Sequence, residues 1–191
     1  TIGQLRQMPV STLEERFGSS GRHYWELAHG IDDRPVVPDR EAKSISHETT
    51  FAADITDAEI LRAWLVELVE QVARRLRRHE IQGRSVELKV RLSDFSTITR
   101  SLTLPRPTHV TQELLDAGLE LLTTRLPPQH LPVRLLGFGV HKFTETAIIQ
   151  QQLFDQPERE RQKELDRVAD EIAARFGSGA LRRGTGMDKG S

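Results

Sequence analysis

Cysteine is absent from the 191 residues of this sequence, tyrosine occurs once, and no apolar run approaches the length that a membrane-spanning helix needs. Without cysteine, the chain can form no disulfide, no thiolate zinc site and no cysteine nucleophile. No cationic start followed by an apolar block marks a signal peptide within residues 1–30. We therefore expect a soluble, cytoplasmic protein with no membrane partner. Because the first residue is Thr1 rather than methionine, we also expect the chain to be a piece of a longer protein.

Charged residues are unevenly distributed along the chain, although the net charge is only −1. Residues 45–73 hold one basic residue against six acidic ones, whereas residues 74–106 hold nine against three. Such a basic block is the usual electrostatic footprint of a phosphate-binding surface. Four of its arginines, within residues 74–78, fall in the last turns of a predicted helix and would also complement the helix dipole. The charge pattern therefore leaves a binding surface and a solvated helix end as alternatives.

The first 43 residues predict a small helical unit followed by a linker. Three short helices are expected within residues 1–30, and Gly18 and Gly21 are expected to stop the second of them. Residues 31–43 carry two prolines, many charges and few apolar side chains. That composition is typical of a linker.

Residues 44–147 predict an α+β domain. Strand patterns occur at residues 44–52, 85–93, 96–104 and 133–143, with one helix after the first strand and one before the last. This order predicts a ferredoxin-like βαββαβ domain, in which a four-stranded sheet carries both helices on one face.

Several local signals refine the expected boundaries. Thr56, with Glu59 three residues later, predicts a capping box at the start of the first helix of this domain. Pro105 and Pro107 are expected to end the third strand. Residues 177–191 are rich in glycine, serine and arginine and are expected to be disordered. A long helix beginning at Pro157 is expected to have an apolar stripe formed by Leu165, Val168, Ala169, Ile172 and Phe176.

The sheet face away from the helices is predicted to be open and polar. It would carry Lys89 and Arg91 on one strand beside Thr97, Thr99 and Ser101 on the next. Cations and hydroxyls in this arrangement suit the phosphates of a nucleic acid. A charged, threonine-rich face also keeps a sheet soluble, so a purely structural role is the alternative.

No residue pattern typical of catalysis is present. The sequence contains no glycine-rich phosphate loop, no nucleophile elbow and no histidine–carboxylate spacing for a metal. Asp32 and Asp33 are adjacent carboxylates, but they lie in the predicted linker, where an exposed turn is expected. We therefore expect no catalytic residue, no metal and no cofactor in this stretch of protein by itself.

Three separated segments resemble the little-finger domain of DinB-type Y-family translesion DNA polymerases, the DNA polymerase IV class. They are KSISHETTF at residues 43–51, SDFSTITRSLTL at residues 93–104 and VRLLGFGV at residues 133–140. Residues 1–9 resemble part of the thumb of that family, and residues 29–36 resemble its exit into the linker. The likeness covers essentially the whole chain, and three motifs in the right order make it specific.

The resemblance implies that the sheet lies along the major groove of primer–template duplex DNA and contacts both backbones. The whole enzyme would be a DNA-directed DNA polymerase that uses magnesium, with its catalytic carboxylates upstream of Thr1. By alternation along their strands, Arg100 and Arg134 fall on the same side as apolar neighbours. Either a β-bulge turns them to the other face or the resemblance does not hold at these two positions. The implied phosphate contacts are Lys43 and Ser44 at the linker exit, and Lys89, Arg91, Thr97, Thr99, Arg100, Ser101 and Arg134 on the strands.

Residues 148–191 are expected to hold a sliding-clamp motif, a helix and a flexible tail. Gln150, Leu153 and Phe154 match the QxxLF pattern by which bacterial members of that family dock to the clamp; alternatively, Leu153 and Phe154 pack on their own domain.

A monomer associated with the nucleoid is expected. Two other functions stay open: a module that mainly docks to the clamp, and an unrelated ferredoxin-like module for RNA or a small molecule.

Overall fold

The computed structural model describes residues 1–38, 42–127, 132–144, 156–177, 179–181 and 183–184. The chain divides into two compact units, Thr1–Glu41 and Ala42–Ser191. Among the described residues, no helix is both long and apolar enough to cross a bilayer.

The first unit is helical, and a glycine controls how closely two of its helices approach. Thr1 caps the first helix in a capping box with Gln4. The prediction that Gly21 stops a helix is wrong, because it lies inside the third helix, where a Cβ atom would stand 2.2 Å from the Leu13 carbonyl oxygen. The absent side chain therefore permits the contact between the second and third helices. The helices are α1 (Ile2–Arg6), α2 (Val10–Phe17) and α3 (Ser19–Ala28).

The second unit confirms the predicted α+β class. Its four strands form one antiparallel sheet in the order β1-β4-β2-β3, so that β4 and β2 are central and β1 and β3 are edges. The strand–helix–strand–strand–helix–strand order of the predicted domain is therefore confirmed, with all four strands in one antiparallel sheet. The elements are β1 (Ser44–Ile55), α4 (Ala58–Arg78), β2 (Gln82–Leu92), β3 (Thr97–Thr108), α5 (Thr111–Thr124), β4 (Val133–Thr144) and α6 (Gln156–Phe176).

The hydrophobic core lies between one face of the sheet and the helices α4 and α5. Phe138, near the middle of β4, is 1% exposed, and Gly118 of α5 packs against it because a Cβ atom there would stand 3.2 Å from the phenyl ring. Each fully buried side chain of this kind contributes about 1.5–3 kcal/mol. Burial confirms the alternation predicted for β2, since Val86, Leu88 and Val90 are all fully buried.

The helix α4 begins one residue later than its predicted capping box implies. Its N-cap is Asp57, whose carboxylate accepts a hydrogen bond of 2.7 Å from the backbone N–H of Glu59. The prediction of Thr56 as the cap is therefore wrong. Asp is an equally good cap, and its negative charge also favours the positive end of the helix dipole.

The strand β3 continues through both of its prolines, so the prediction that Pro105 and Pro107 end it is wrong. Because β3 is an edge strand, a proline with no N–H can point outward without breaking a ladder hydrogen bond. The register also shifts there: Gly83 pairs with Thr108 and Ser85 pairs with Thr103. The residues between those pairs are therefore accommodated as an irregular segment of β3.

The helix α6 packs on the helix layer through a buried carboxylate rather than through its predicted apolar stripe. Leu165 and Phe176 are 52% and 73% exposed, whereas Asp166 is 4% exposed. The Asp166 carboxylate accepts a 2.8 Å hydrogen bond from the backbone N–H of Thr111 and lies 3.1 Å from the guanidinium of Arg77. Since α5 has no side-chain cap of its own, Asp166 satisfies an N–H group at its first turn.

Much of the basic block is engaged in this packing. Arg77 and Arg74 of α4 both contact Asp170 of α6, at 2.6 Å and 3.3 Å. Arg106 and Arg159 share the carboxylate of Glu113, at 3.1 Å and 2.9 Å. Arg74, Arg77 and Arg159 therefore hold α6 against α4 and α5, whereas Arg106 joins β3 to α5.

We predict that Asp166→Asn lowers the free energy of unfolding of the second unit by about 2 kcal/mol, because the hydrogen bonds at Arg77 and Thr111 lose their charged acceptor. Urea unfolding followed by Trp64 fluorescence measures this in a Trp25→Phe background, where Trp64 is the single tryptophan. The control is Glu164→Gln on the exposed side of α6, for which a change of less than about 0.5 kcal/mol is expected. Equal losses in both variants would contradict the role of Asp166.

A second prediction concerns His109, whose Nδ1 is buried without a hydrogen-bond partner among the described residues. Burial, and then the charges of Arg77, Lys163 and Arg159, lower the pKa of His109 below its ordinary value of 6.5. The unfolded chain therefore binds a proton before the folded chain does, so stability should fall as the pH drops below 6.5. Urea midpoints measured against pH should show this slope, and His109→Gln should reduce it. An unchanged profile in that variant would assign the slope to other groups.

Candidate nucleic-acid interface

The sheet face opposite α4 and α5, here called the open face, is built from four rows of residues that cross the strands. Its positions follow from the register, because they alternate with the buried residues of the core. Reading from β1 through β4 and β2 to β3, the rows are Ser44, His141, Ser85 and Thr103; Ser46, Gly139, Glu87 and Ser101; Glu48, Gly137, Lys89 and Thr99; and Thr50, Leu135, Arg91 and Thr97.

The pairing of β2 with β3 places the predicted cations beside the predicted hydroxyls. Lys89 lies opposite Thr99, and Arg91 lies opposite Thr97, with Nε of Arg91 donating a 3.1 Å hydrogen bond to Oγ1 of Thr97. Thr97, Thr99 and Ser101 are all exposed. The register therefore brings five of the predicted site residues onto one solvent-facing surface.

Two carboxylates share the open face with these cations. Nζ of Lys89 lies 2.9 Å from Oε2 of Glu48, and Glu87 is exposed on the next row. Sequence reasoning missed Glu48 as a partner of Lys89, because the two strands are far apart in the chain and are not direct neighbours in the sheet. The positive charge available on this face is therefore smaller than the basic block suggests.

The central strand β4 contributes bare backbone to the middle of the open face. A Cβ atom at Gly137 would stand 3.0 Å from Cβ of Glu48, and one at Gly139 would stand 3.0 Å from Cβ of Ser46. Side chains of β1 therefore lean over the glycines, and a larger residue would displace them. The two glycines leave a shallow trough between β1 and β2.

Arg134 lies at a β-bulge, which interrupts the alternation that would place its side chain on the same side as its apolar neighbours. Leu92 pairs with Val133 while Arg91 pairs with Leu135, so Arg134 is the extra residue of β4. Its guanidinium lies 4.7 Å from the ring centroid of Phe95, in a cation–π contact. A carboxylate of β1, Asp54, is 3.6 Å away on the other side. The bulge therefore turns Arg134 toward the β2–β3 turn at one end of the sheet.

The turn that carries Phe95 is held by its neighbours. The Asp94 carboxylate accepts a 2.8 Å hydrogen bond from the backbone N–H of Ser96. Hydrogen bonding from the side chain of Ser96, and then from its backbone, keeps the pKa of Asp94 below its usual value. Phe95 itself has a left-handed backbone with φ of 66° and is 65% exposed, so the turn presents its ring to Arg134.

Arg100 lies apart from the open face. It pairs with the buried Leu88 in a regular stretch of the ladder, and its Nε donates a 3.0 Å hydrogen bond to the carbonyl of Arg125 at the end of α5. No bulge re-aims it, so its guanidinium caps a helix on the other side of the sheet. A phosphate contact from Arg100 stays a prediction.

The remaining predicted residues lie at the far end of the sheet or outside the described residues. Ser44 opens β1 opposite His141, and the exposed Lys43 precedes it. The predicted clamp-binding residues Gln150, Leu153 and Phe154 lie outside the described residues. Within the described ranges, no group of three or more histidine, aspartate or glutamate side chains could hold a metal ion.

Comparison with known proteins matches the second unit to one family and the whole chain to named relatives. A model of the impB/mucB/samB family C-terminal domain matches residues 42–153. The chain is 37% identical over 184 residues to a DNA polymerase IV of Dehalococcoides mccartyi, covering 96% of this chain and 46% of the relative. It is 39% identical over 183 residues to the DNA polymerase IV of Desulfatibacillum aliphaticivorans, covering 95% and 46%.

A third relative covers somewhat less of the chain. The DNA polymerase IV of Stenotrophomonas maltophilia is 40% identical over 157 residues, which are 82% of this chain and 43% of the relative. This chain thus spans about half the length of the relatives that it matches.

Proposed function

We propose a function from the premise that this chain belongs to the impB/mucB/samB family, whose C-terminal domain matches residues 42–153. The proposed function is to bind primer–template duplex DNA as part of a DNA-directed DNA polymerase for translesion synthesis and DNA repair. The resemblance to DinB-type Y-family polymerases, noted from three motifs, is confirmed by the family match and by the relatives. The open face of the second unit is the basis for the proposed duplex-binding role.

The observation that carries the proposal is the pairing of cations with hydroxyls across β2 and β3. Arg91 and Thr97 lie in direct contact, Lys89 and Thr99 lie in the next row, and Ser101 lies in the row after that. Cations, hydroxyls and backbone N–H groups are the donors that proteins use to bind phosphate oxygens. Such contacts fix the position of a duplex without reading its sequence.

The dimensions of the open face support a duplex as its ligand. Six residues separate Ser44 from Thr50, so the face is about 20 Å long, and four strands make it about 14 Å wide. A B-DNA major groove is about 12 Å wide, so strands can lie along it and contact both backbones. Lys43 at one end and Arg134 at the other extend the donors over this length.

The residue types on the open face argue against base stacking. RNA-recognition modules of the same topology stack unpaired bases on aromatic side chains of the central strands. None of the positions in the four rows is Phe, Tyr or Trp. The nearby Phe95 lies in a turn and holds the guanidinium of Arg134. Contact with a duplex backbone is therefore favoured over single-stranded RNA.

We predict that Arg91→Gln makes the salt dependence of duplex binding shallower by about 0.9 in the slope of log K against log salt, because it removes one phosphate contact. Arg134→Gln should make the slope shallower by less, because Arg134 already pairs with the carboxylate of Asp54 at 3.6 Å. Fluorescence anisotropy with a labelled primer–template duplex, at several salt concentrations, measures the slope. The matched control is Arg62→Gln, an exposed arginine on α4 paired with Glu59 at 3.5 Å, for which an unchanged slope is expected.

Unchanged slopes for both Arg91→Gln and Arg134→Gln would remove the open face from the interface. Arg100→Gln separates the two sides of the sheet: a lowered slope would add the α5 side to the interface. Tighter binding of single-stranded RNA than of the duplex would favour the RNA module instead.

We also propose that residues 150–154, QQQLF, dock to the sliding clamp, with Leu153 and Phe154 filling an apolar pocket and Gln150 fixing the extended peptide. The motif follows β4 and precedes α6 in the chain. Docking to the clamp is the second candidate function. In that case the main partner of the chain is the clamp, and DNA binding is secondary.

For the clamp, we expect Leu153→Ala combined with Phe154→Ala to lower affinity at least tenfold, since both anchors of the peptide are lost. Surface plasmon resonance against immobilised clamp measures it. The matched control is Gln151→Ala with Gln152→Ala, at the two unspecified positions of the motif. Binding that survives loss of both Leu153 and Phe154 would assign docking to another surface.

Magnesium is the metal that the resemblance implies for the whole enzyme. The described residues of this chain offer no set of oxygen ligands that fits it, and no step of the proposed function involves it.

A further inference from the structure

The two cations of the open face have different partners. Arg91 donates to the neutral hydroxyl of Thr97, at 3.1 Å, and among the described residues its guanidinium has no carboxylate partner. Lys89 is paired with the carboxylate of Glu48, at 2.9 Å. Before any DNA binds, therefore, Lys89 already holds an anion in the place where the proposed function puts a phosphate.

The pair exists because Gly137 lies between its members. Glu48 of β1 and Lys89 of β2 both pair with Gly137 of β4, so the ion pair crosses one intervening strand. A Cβ atom at Gly137 would stand 3.0 Å from Cβ of Glu48, 3.5 Å from its Oε2 and 3.6 Å from Cβ of Lys89. The glycine therefore leaves room for the two charged groups to meet above the trough, and a larger side chain would push Glu48 aside.

We propose that Glu48 lowers the affinity for duplex DNA by competing with DNA phosphates for Lys89. This inference rests on the proposed function. Both side chains are exposed enough to separate, at 53% for Glu48 and 34% for Lys89, so a phosphate can displace the carboxylate. The displaced Glu48 then stands beside a phosphate and takes up a cation from solvent. Lys89 therefore adds little net affinity, and the domain releases a bound duplex more readily.

The competition makes a prediction about salt dependence that simple charge counting does not make. A phosphate contact releases one counterion from DNA, worth about 0.9 in slope. The freed carboxylate of Glu48, however, adds a negative charge beside that phosphate, which retains a cation that the contact would otherwise release. The contribution of Lys89 to the slope is then close to zero while Glu48 is present. Without Glu48, the full contribution of Lys89 should appear.

The matched control is Glu87, the other carboxylate of the open face. Its cross-strand neighbours are Gly139 and Ser101, so its carboxylate has no cation directly opposite. Glu87→Gln changes the net charge of the same surface by the same amount as Glu48→Gln. Any difference between the two variants therefore reports the pairing with Lys89 and not the overall charge.

The experiment measures binding of the full chain to a labelled primer–template duplex over a salt series. The variants are wild type, Glu48→Gln, Glu87→Gln, Lys89→Gln and the double variants that combine Lys89→Gln with each glutamate change. We expect Glu48→Gln to steepen the slope by about 0.9, so that its affinity falls about 3.5-fold more than that of wild type between about 50 and about 200 mM salt. Lys89→Gln should abolish this steepening in the Glu48→Gln background and change the wild-type slope little.

Three results would overturn the inference. Equal slopes for Glu48→Gln and Glu87→Gln would mean that only net charge matters. If Lys89→Gln alone made the wild-type slope shallower by the full value of about 0.9, Lys89 would not be exchanging Glu48 for a phosphate. Weaker binding by Glu48→Gln would mean that Glu48 orients Lys89 toward the phosphate. Thermal unfolding checks each variant, and Glu48→Thr, with its high strand propensity, repeats the test if the glutamine variant is unstable.

Failure of the inference can be told apart from failure of the proposed function. If wild type shows no salt-dependent duplex binding, or if Arg91→Gln and Arg134→Gln both leave its slope unchanged, the open face is not the interface and both proposals are wrong. If wild type binds and Arg91→Gln lowers the slope, but the Glu48 and Glu87 variants behave alike, only the competition by Glu48 is wrong.

Discussion

The register of β2 between β4 and β3 is the constraint on which the open face depends. It places Lys89 and Arg91 opposite Thr99 and Thr97 on one side, and opposite Gly137 and Leu135 on the other. The same register buries Val86, Leu88 and Val90 beneath the helices. A slip of one residue would exchange the two faces, burying the cations and exposing the core, so the energy of core packing also determines which donors face solvent.

The basic block of residues 74–106 is divided between two sides of the sheet. Arg74, Arg77 and Arg106 contact carboxylates that hold α6 or the start of α5, and Arg75 donates a 3.0 Å hydrogen bond to the carbonyl of Ser46 on the edge strand β1. These contacts stabilise the second unit, but they engage the arginines away from the open face. The local count of charges in the chain therefore overstates the charge that a duplex would meet, and the carboxylates Glu48 and Glu87 reduce it further.

Local patterns predicted the fold well where the signal was a repeat. Alternation in β2 and helical spacing in α4 identified both elements and their buried faces, and the order of elements predicted the βαββαβ domain with its four-stranded sheet. Two of the failures depended on neighbours distant in the chain, whereas the misplaced cap of α4 was a local error of one residue. Pro105 was compatible with β3 because that strand is at an edge, and Asp166 is buried because α5 lacks a cap. Neither an edge position nor a missing cap is visible in a local window.

By itself, the sequence determined the element types, the polar face shared by β2 and β3, and the resemblance of three motifs to one polymerase family, because all of these depend on residues adjacent in the chain. Only the tertiary structure decided how those residues are partnered. It paired Lys89 with Glu48 across a glycine, turned Arg134 outward at a bulge, and directed Arg100 to the end of α5. The physical reason is that the alternation of side chains between the two faces of a strand follows from local backbone geometry. An ion pair between strands depends instead on the order and register of the sheet.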